Sequence, residues 1–307
     1  MYHFIVNKTS RTGESGRTWN RIKEELNRRK VKYTVHYTEY AGHATKIAES
    51  LCADYDGIKS IVVVGGDGTA NETINGFHGY QDILFGYIPV GSGNDLARGL
   101  GIPKDPMAAL DHILSPKRYQ YVDHGILSYY DGSAPKRFAI SSGIGYDADI
   151  CLEVQGSKLK KVLNFLHMGK LVYILIAVKQ IITNRPVDVE VLMDGQQKRF
   201  LQDTVFIASM IQKYEGGGLK MAPNADNADG KLSVCFVSKL PKLKLFLVMP
   251  SIFFAKHTSI KGVEIINCSS LELKAAEPMV LHVDGEYAGK KEHVRLSCLP
   301  DQIRMYV

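Results

Sequence analysis

Two glycine-rich turns contain the residues best suited to bind a phosphate group. The first, Gly65 to Thr69, reads GGDGT and follows the apolar run Val62 to Val64. Glycine lets backbone N–H groups approach a phosphate because no Cβ intervenes, and a helix that begins at the turn adds partial positive charge. Because an acid repels a neighbouring polyphosphate unless a metal lies between them, Asp67 indicates Mg²⁺. The same pattern also fits an ordinary tight turn.

The second turn, Gly91 to Asp95, follows the apolar run Tyr87 to Val90 and again combines glycines, a hydroxyl, an acid and the start of a helix. Ligands of open α/β sheets bind at the carboxyl ends of the strands, so both turns are expected to face one cleft. Neither turn has the GxxxxGKS/T spacing of a P-loop. Leu96 stands where the GxGxxG dinucleotide pattern needs its third glycine, which disfavours redox dinucleotide chemistry.

Predicted strands and helices alternate from Tyr2 to Leu100, the region that contains both turns. Apolar residues recur at helical spacing, as in Trp19, Ile22 and Leu26. This alternation predicts an α/β domain, a parallel sheet with helices on both faces. The predicted strands are Tyr2–Val6, Tyr33–Tyr37, Ser60–Val64 and Leu84–Val90, and the predicted helices are Ser15–Arg29, His43–Ala53, Thr69–Phe77 and one beginning at Asn94–Leu100.

The pattern changes near Tyr121 to short alternating strands separated by Asp-Gly turn signals, which predicts a mainly antiparallel β-sandwich. One helix is predicted at Lys158–Thr183. We expect domains at 1–123 and 124–299, with 300–307 returning to the first. The predicted strands are Arg137–Ser141, Val187–Met193, Thr204–Ser209, Leu232–Val237, Val263–Ile266, Leu271–Lys274, Val280–Val283, Val294–Ser297 and Ile303–Val307.

Composition limits the classes of protein that fit. The 307 residues, 45% hydrophobic and 23% charged, suffice for two cores. The five dispersed cysteines argue against a disulfide framework or zinc site. The net charge of +6 fits an anionic membrane or a phosphorylated substrate as well as nucleic acid. Without a zinc-finger, RRM or KH signature, no nucleic-acid partner is expected.

Two basic and apolar segments suit contact with an anionic bilayer. Lys158 to Arg185 and Lys239 to Lys261 contain lysines between apolar residues and no acid. These apolar residues also fit a core covered by lysines. The apolar runs Leu171–Val178 and Leu245–Ala255 fall short of the roughly 20 residues that span a bilayer. With no signal peptide at Met1, we expect a cytoplasmic protein peripherally associated with the inner membrane face.

The motifs, taken in order, resemble the catalytic domain of diacylglycerol kinases and related bacterial lipid kinases. The GGDGT turn also occurs in NAD kinases and phosphofructokinases, whereas PVGSGNDLAR at Pro89 to Arg98 points to the lipid branch. The resemblance covers nearly the whole chain. Further matches in the same order are Asn7, Thr38, Gly42–Ala44, Asp123, Gly143–Ala148, Gly216–Gly218, Pro223, Ala225, Asp229–Leu232 and Asp284–Glu286.

The resemblance implies an enzyme that transfers the γ-phosphate of ATP to a lipid hydroxyl, above all that of diacylglycerol. Residues 1–123 would bind the nucleotide, and residues 124–299 the lipid and a metal. Lys8 stands where the family usually has proline, and a solvated lysine fits equally. The implied ATP-binding residues are Asn7, Lys8, Thr9, Ser10, Arg11, Thr38, Gly65, Gly66, Asp67, Gly68, Thr69, Asn71, Glu72, Gly91, Ser92, Gly93 and Asn94.

The resemblance also implies which acids act in transfer. Asp284 would take the proton from the lipid hydroxyl, with Glu286 as the alternative, although Asp284-Gly285 fits a plain hairpin turn as well. A structural Mg²⁺ would be held by Asp226, Asp229 and the backbone carbonyl of Lys231. A water-mediated network to Mg²⁺ at the nucleotide would involve Asp67, Asp95 and Asp123. Residues 223–230 fit a polar turn equally well.

Other functions remain open at this point. Other lipid acceptors, such as a sphingoid base or phosphatidylglycerol, fit the same motifs. NAD kinase activity is less favoured because of Gly91 to Arg98, and a non-catalytic lipid-binding protein because the acids are retained. Homodimer formation is also left open.

Overall fold

The computed structural model describes residues 1–53, 59–77, 83–156 and 169–307. The predicted α/β and antiparallel parts are both present, joined in one continuous sheet. The strands are β1 Tyr2–Val6, β2 Tyr33–Tyr37, β3 Lys59–Gly65, β4 Ile83–Pro89, β5 Tyr119–Tyr129, β6 Lys136–Phe138, β7 Ser141–Gly145, β8 Val187–Met193, β9 Gln197–Met210, β10 Leu232–Ser238, β11 Val263–Cys268, β12 Ser270–Val283 and β13 Glu286–Tyr306. The α-helices are α1 Glu14–Arg28, α2 His43–Ala53, α3 Asp67–Asn75, α4 Asp95–Leu100, α5 Pro106–Leu114, α6 Tyr146–Gly156, α7 Gly169–Thr183 and α8 Lys242–Ile252, with 3-10 turns at Ser10–Gly13 and Lys256–Ser259.

The first part is a parallel sheet in the order β4-β3-β1-β2. Strands β1, β3 and β4 are largely buried and apolar on both faces, whereas β2 is half-buried along its length. Phe4 and Trp19 pack with ring centroids 5.3 Å apart, and Ile61 to Val64 are fully buried. Continuous burial of this kind is typical of parallel strands. All four carboxyl ends therefore lie at the same edge, where the two glycine-rich turns begin.

The second part is built around the long antiparallel hairpin of β12 and β13. β12 also pairs with β7 and β8, and β9 joins β7 and β8 to β10. The far end of β13 leaves this part and pairs in parallel with β4, at Arg304 with Leu84 and Met305 with Phe85. The chain thus crosses between the two parts twice. The domain limits at residue 123 stay a prediction.

Several predicted strands have different bounds in the structure. Arg137–Ser141 is interrupted after Phe138, where backbone N–H groups bond to a carboxylate instead of a strand. Leu271–Lys274 and Val280–Val283 are one strand, β12, with a register shift between them. Val294–Ser297 and Ile303–Val307 likewise form parts of β13.

Other elements were absent from the sequence prediction. They are β5 and the helices α5, α6 and α8. In α6 and α8 apolar residues are not confined to one face, so periodicity does not reveal these helices. Of the helix predicted at Lys158–Thr183, residues 169–183 are helical, and 157–168 lie outside the described residues.

Gly76→Ala should destabilise the fold, because an added Cβ would lie 2.3 Å from the backbone oxygen of Thr45 in α2. We expect the free energy of unfolding to fall by about 1–3 kcal/mol, as in other overpacked cores. The matched control is Gly156→Ala, whose Cβ meets nothing within 4 Å. It should stay within about 1 kcal/mol of the parent chain in chemical denaturation. Equal midpoints for both variants would contradict the packing of α2 on α3.

Candidate active site

The two glycine-rich turns lie side by side at the carboxyl edge of the parallel sheet. The N–H of Val90 donates to the oxygen of Gly65 at 2.7 Å, and the N–H of Asn7 donates to the oxygen of Val64 at 3.2 Å. The loops after β1, β3 and β4 therefore share one rim. This places together residues that the sequence separates by up to ninety positions.

Contact between the turns requires glycine at position 91 and leaves little room for a Cβ at position 66. A Cβ on Gly91 would lie 2.7 Å from the Cα of Gly66, and one on Gly66 would lie 3.3 Å from the Cα of Gly91. Asn94 closes the second turn, since its side chain accepts from the N–H of Gly91 at 2.8 Å and donates to the oxygen of Gly91 at 3.0 Å. Asn94 itself has a left-handed φ of 52°.

Asp67 ties the first turn to the second. Its carboxylate accepts from the N–H groups of Asp95 at 3.0 Å and Leu96 at 3.3 Å, and from the Tyr87 hydroxyl at 3.2 Å. Burial raises the pKa of Asp67, and these donors lower it in part. The N-terminal N–H groups of α4 thus offset the charge that, in the sequence, indicated a metal.

Asp95 continues this connection into the second part of the chain. Its Oδ2 accepts from the N–H of Gly217 at 2.6 Å, while Oδ1 pairs with the Arg98 guanidinium. Burial, together with the nearby charge of Asp67, raises the pKa of Asp95 to about 6, against the opposing effects of Gly217 and Arg98. Asp67 and Asp95 are therefore neighbours at the base of the turns.

The loop after β1 lies against the first turn. The Asn7 amide donates to Thr69 Oγ1 at 3.1 Å and accepts from the hydroxyl of Thr9 at 2.9 Å. Lys8 places its ammonium 3.6 Å from the centroid of the Tyr37 ring, a cation–π contact that occupies it within the protein. The side chain of Arg11 lies outside the described residues.

The other predicted ATP-binding residues differ in orientation. Ser10 lies near Gly66, with its Oγ 3.7 Å from where a Cβ would stand. Thr38 follows β2 on the same rim, and Ser92 is exposed at the tip of its turn. Glu72, however, points to α2, where it accepts from the N–H of Ala44 at 3.3 Å.

A cleft of about 280 Å³ opens beside the second turn. Its walls combine the turn backbone with Arg98, Lys104 and Glu14. Backbone N–H groups and basic side chains together suit an anionic ligand. The full lining is Glu14, Pro89, Val90, Gly91, Ser92, Gly93, Asn94, Arg98, Lys104 and Pro106.

The carboxylate of Asp284 accepts four hydrogen bonds. Oδ1 accepts from the N–H groups of Ile140 and Ser141, both at 2.9 Å, and Oδ2 from Ala139 N–H at 2.9 Å and the Asn71 amide at 2.7 Å. Burial raises the pKa of this carboxyl to about 6, and the four donors lower it in part. Both oxygens are engaged inward, joining α3 to the link between β6 and β7.

Glu286, two residues on, is exposed and faces the first turn. A Cβ on Gly68 would lie 3.8 Å from Glu286 Oε1. The Gln155 amide of α6 donates to Glu286 Oε2 at 2.9 Å and to the oxygen of Gly285 at 3.0 Å. Between the two acids of the 284–286 turn, Glu286 has an oxygen directed at the phosphate-loop side.

The predicted metal loop is a closed polar turn. Asp226 and Asp229 each accept a backbone N–H two residues ahead, at 3.1 Å and 2.9 Å, as side chains do in a plain polar turn. Both are exposed. The N–H of Gly230 donates to Asp123 Oδ2 at 2.7 Å, so Asp123 is bonded to this loop, and the water-mediated network with Asp67 and Asp95 stays a prediction.

Some site residues carry no obvious sequence signal. Tyr87, Gln155 and Glu215 belong to no spacing pattern, and their contacts come from distant parts of the chain. His282 had one usable signal, a lone polar residue in the apolar run Met279 to Val283. It meets Asp147 and Glu215 in a buried cluster.

Comparison with known proteins identifies a matching family for each part of the chain. The family described as the diacylglycerol kinase catalytic domain matches residues 1–124. The YegS C-terminal NAD kinase beta sandwich-like domain matches residues 141–307.

Relatives match over most of their length. YtlR of Bacillus subtilis (strain 168), whose lipid kinase name is provisional, is 29% identical over 99% of this chain and 98% of its own. A diacylglycerol kinase of the same organism is 30% identical over 83% of this chain and 80% of its own. A crystal structure of a diacylglycerol kinase from Bacillus anthracis str. Sterne, 20% identical, covers 99% of this chain and 96% of its own with a TM-score of 0.73, a likeness in fold.

Asp284→Asn should destabilise the chain, because an amide nitrogen would face N–H donors that now bond to a carboxylate oxygen. Leaving such buried donors unsatisfied costs on the order of 1–3 kcal/mol. The control Glu286→Gln changes an exposed side chain and should stay within about 0.5 kcal/mol. Denaturant unfolding of both variants measures the difference, and an Asp284→Asn variant as stable as the control would contradict the four-bond arrangement.

Proposed function

Since this chain belongs to the diacylglycerol kinase family, whose members are phosphotransferases with an alcohol group as acceptor, we propose that it transfers the γ-phosphate of ATP to a hydroxyl of diacylglycerol, giving phosphatidic acid. The observation that carries the proposal is the direct contact of two glycine-rich turns, with an exposed carboxylate beside one of them. The sequence motifs and relatives named diacylglycerol kinase support the same activity.

ATP is proposed to lie on the rim formed by the loops after β1, β3 and β4. Gly66 and Gly91 keep this surface free of side chains, so that backbone N–H groups can bind phosphate oxygens. The cleft beside Gly91 to Asn94 gives adjoining space for the rest of the nucleotide. Glu72 faces α2, so we assign it a structural role instead of ATP binding.

Glu286 is proposed as the general base, and Asp284 as the residue that holds the turn. A general base needs a free lone pair within reach of the hydroxyl proton. Both oxygens of Asp284 already accept two hydrogen bonds each, whereas Glu286 Oε1 faces the Gly68 side. On this assignment Glu286 takes the lipid proton as the bond from oxygen to phosphorus forms and the bond to ADP breaks.

The residues present fit the Mg²⁺ that the family implies. Asp226 and Asp229 are exposed carboxylates on one turn, next to the backbone carbonyl of Lys231, and Mg²⁺ prefers oxygen ligands of this kind. Asp123 would hold the turn through Gly230. When bound, Mg²⁺ supplies positive charge that offsets the negative charge of the phosphates.

The membrane-facing surface is proposed to be the exposed apolar side of α7 and α8. Leu175 and Ile182 of α7 are 53% and 60% exposed, and Leu243 and Leu247 of α8 are 79% and 71% exposed. The Lys242 ammonium bonds to the oxygen of Ile182 at 2.5 Å, which joins the two helices. Exposed apolar side chains in a segment that contains lysines and no acids complement an anionic bilayer.

The apolar residues of the segment from Lys239 to Lys261 fall into two groups, one buried and one exposed on this surface. Leu245 is buried, as the core interpretation predicts, whereas Phe246, Leu247, Phe253 and Phe254 are exposed to between 37% and 72%. Among the described residues, no helix combines the length and apolar character needed to cross a bilayer. In the other basic segment, residues 157–168 lie outside the described residues.

The activity is tested by incubating the chain with radiolabelled ATP and Mg²⁺ and with diacylglycerol in mixed micelles. We expect labelled phosphatidic acid, its loss on chelation of Mg²⁺, and a drop of about 100-fold or more in kcat for Glu286→Gln. Parallel reactions contain a sphingoid base, phosphatidylglycerol or NAD. Label that appears in NAD alone would refute the proposal, and normal turnover by Glu286→Gln would refute the base assignment.

Leu243→Glu combined with Leu247→Glu should weaken binding to vesicles containing phosphatidylglycerol. Burying two leucine side chains contributes enough for a loss of about tenfold or more. Tyr40→Glu is the control, because it adds a charge at an aromatic residue that is 52% exposed in the first part of the chain. Sedimentation with vesicles measures binding, and equal binding by the double variant and the control would exclude this surface.

A further inference from the structure

A buried cluster lies directly beneath the 284–286 turn. The His282 ring is fully buried, and its Nε2 lies 3.3 Å from Asp147 Oδ2 and 3.4 Å from Glu215 Oε1. Among the described residues this is the one group of His, Cys, Asp or Glu side chains whose ligand atoms lie close enough to suggest a metal. Neither the phosphate turns nor the proposed base includes these three residues.

The hydrogen bonds of His282 define which ring nitrogen carries the proton. The backbone N–H of Gly285 donates to His282 Nδ1 at 3.2 Å. Burial disfavours the charged ring, whereas the Asp147 and Glu215 carboxylates raise the pKa of His282 above its usual value. The Gly285 N–H facing Nδ1 requires a lone pair there, so in this geometry the ring proton lies on Nε2, between the two carboxylates. Because an N–H already faces Nδ1, a cation on Nε2 would leave the ring without a proton on either nitrogen, so this geometry favours a hydrogen-bonded support over a metal site.

Strand β7 packs against the ring and holds the backbone of His282. A Cβ on Gly143 would lie 1.9 Å from Asp147 Oδ2 and 2.3 Å from His282 Nε2, so the β7 backbone packs against the cluster. The Ser142 hydroxyl donates to the oxygen of His282 at 2.8 Å. The imidazole therefore has a fixed place from which to hold Gly285.

The turn above it needs such support. Asp284 and Gly285 both have left-handed φ angles, 47° and 81°, and a non-glycine residue in that region is unfavourable. Asp284 is anchored by its own carboxylate, and Gln155 bonds to the oxygen of Gly285. The N–H of Gly285 is held by His282, immediately before Glu286.

We propose that His282 is a positioning residue for phosphoryl transfer: Asp147 and Glu215 orient its Nε2–H, and its Nδ1 holds the Gly285 N–H, so that Glu286 stays directed at the first glycine-rich turn. This inference deepens the proposed function and rests on it, because it assigns the base to Glu286. Displacement of a catalytic group by about 1 Å can cost 100-fold in rate, so the contact has a measurable consequence.

Two substitutions test the contacts of the two His282 ring nitrogens separately. In His282→Asn, the side-chain oxygen can replace Nδ1 as acceptor for Gly285. In His282→Gln, the amide nitrogen can replace Nε2–H toward Asp147 and Glu215, but no acceptor remains for Gly285. We expect kcat near that of the parent chain for Asn and about 100-fold lower for Gln, with the KM for ATP unchanged in both.

Two further measurements do not depend on kinase activity. Hydrogen exchange of the segment 283–287 should be faster in His282→Gln than in the parent chain or His282→Asn. In NMR spectra of the parent chain labelled with ¹⁵N-histidine, the His282 signals are identified as those that are missing from the His282→Asn spectrum. Their chemical shifts should show a protonated Nε2 and an unprotonated Nδ1. This second measurement needs no folded Gln variant.

The outcomes distinguish this inference from the proposed function. A protonated Nδ1, unchanged exchange at 283–287 in His282→Gln, or faster exchange with unchanged kcat would each overturn the positioning role. If the parent chain transfers phosphate to none of the lipids while the exchange and nitrogen results hold, the proposed function fails and the support of the turn by His282 stands.

Discussion

The close approach of two backbone turns is the constraint on which the site depends. Gly66 and Gly91 meet with little space for a Cβ, and Asp67 bonds across the junction to the first N–H groups of α4. Parallel pairing of β3 and β4 brings both turns to one edge. The negative charge of Asp67 is tolerated there because the N-terminus of α4 faces it. A surface suited to phosphate therefore follows from strand order, glycine and one internal carboxylate, before any ligand is considered.

Much of this arrangement could be predicted from local sequence. Alternating strand and helix patterns predicted the parallel part, and GGDGT and PVGSGNDLAR placed the two turns, because backbone chemistry there needs particular residues at fixed spacing. Contacts between distant segments could not be predicted. Nothing near Asp284 in sequence indicates that Asn71 and the backbone at Ala139 would engage it, and nothing near Asp67 indicates its bond to Tyr87.

The 284–286 turn illustrates why a motif alone leaves the chemical role of its residues open. Its two acids are alike in sequence but differ in surroundings, since Asp284 faces inward-pointing donors and Glu286 faces solvent and Gly68. A carboxylate that accepts four hydrogen bonds is well suited to hold three segments together, and an exposed one is better suited to accept a proton. On the proposed assignment, tertiary contacts and not residue type separate the anchor from the base.

The course of β13 has a consequence for how the protein forms. This strand pairs with β12 from Glu286 to Ser297 and then extends the parallel sheet by pairing Arg304 and Met305 with β4. During synthesis the edge of β4 therefore stays unpaired until residues made much later are available. Its free backbone N–H and C=O groups can meanwhile pair with a strand of another chain. Completion of the parallel part is thus tied to translation of the rest, and loss of the last part of β13 would favour aggregation over a free-standing first part.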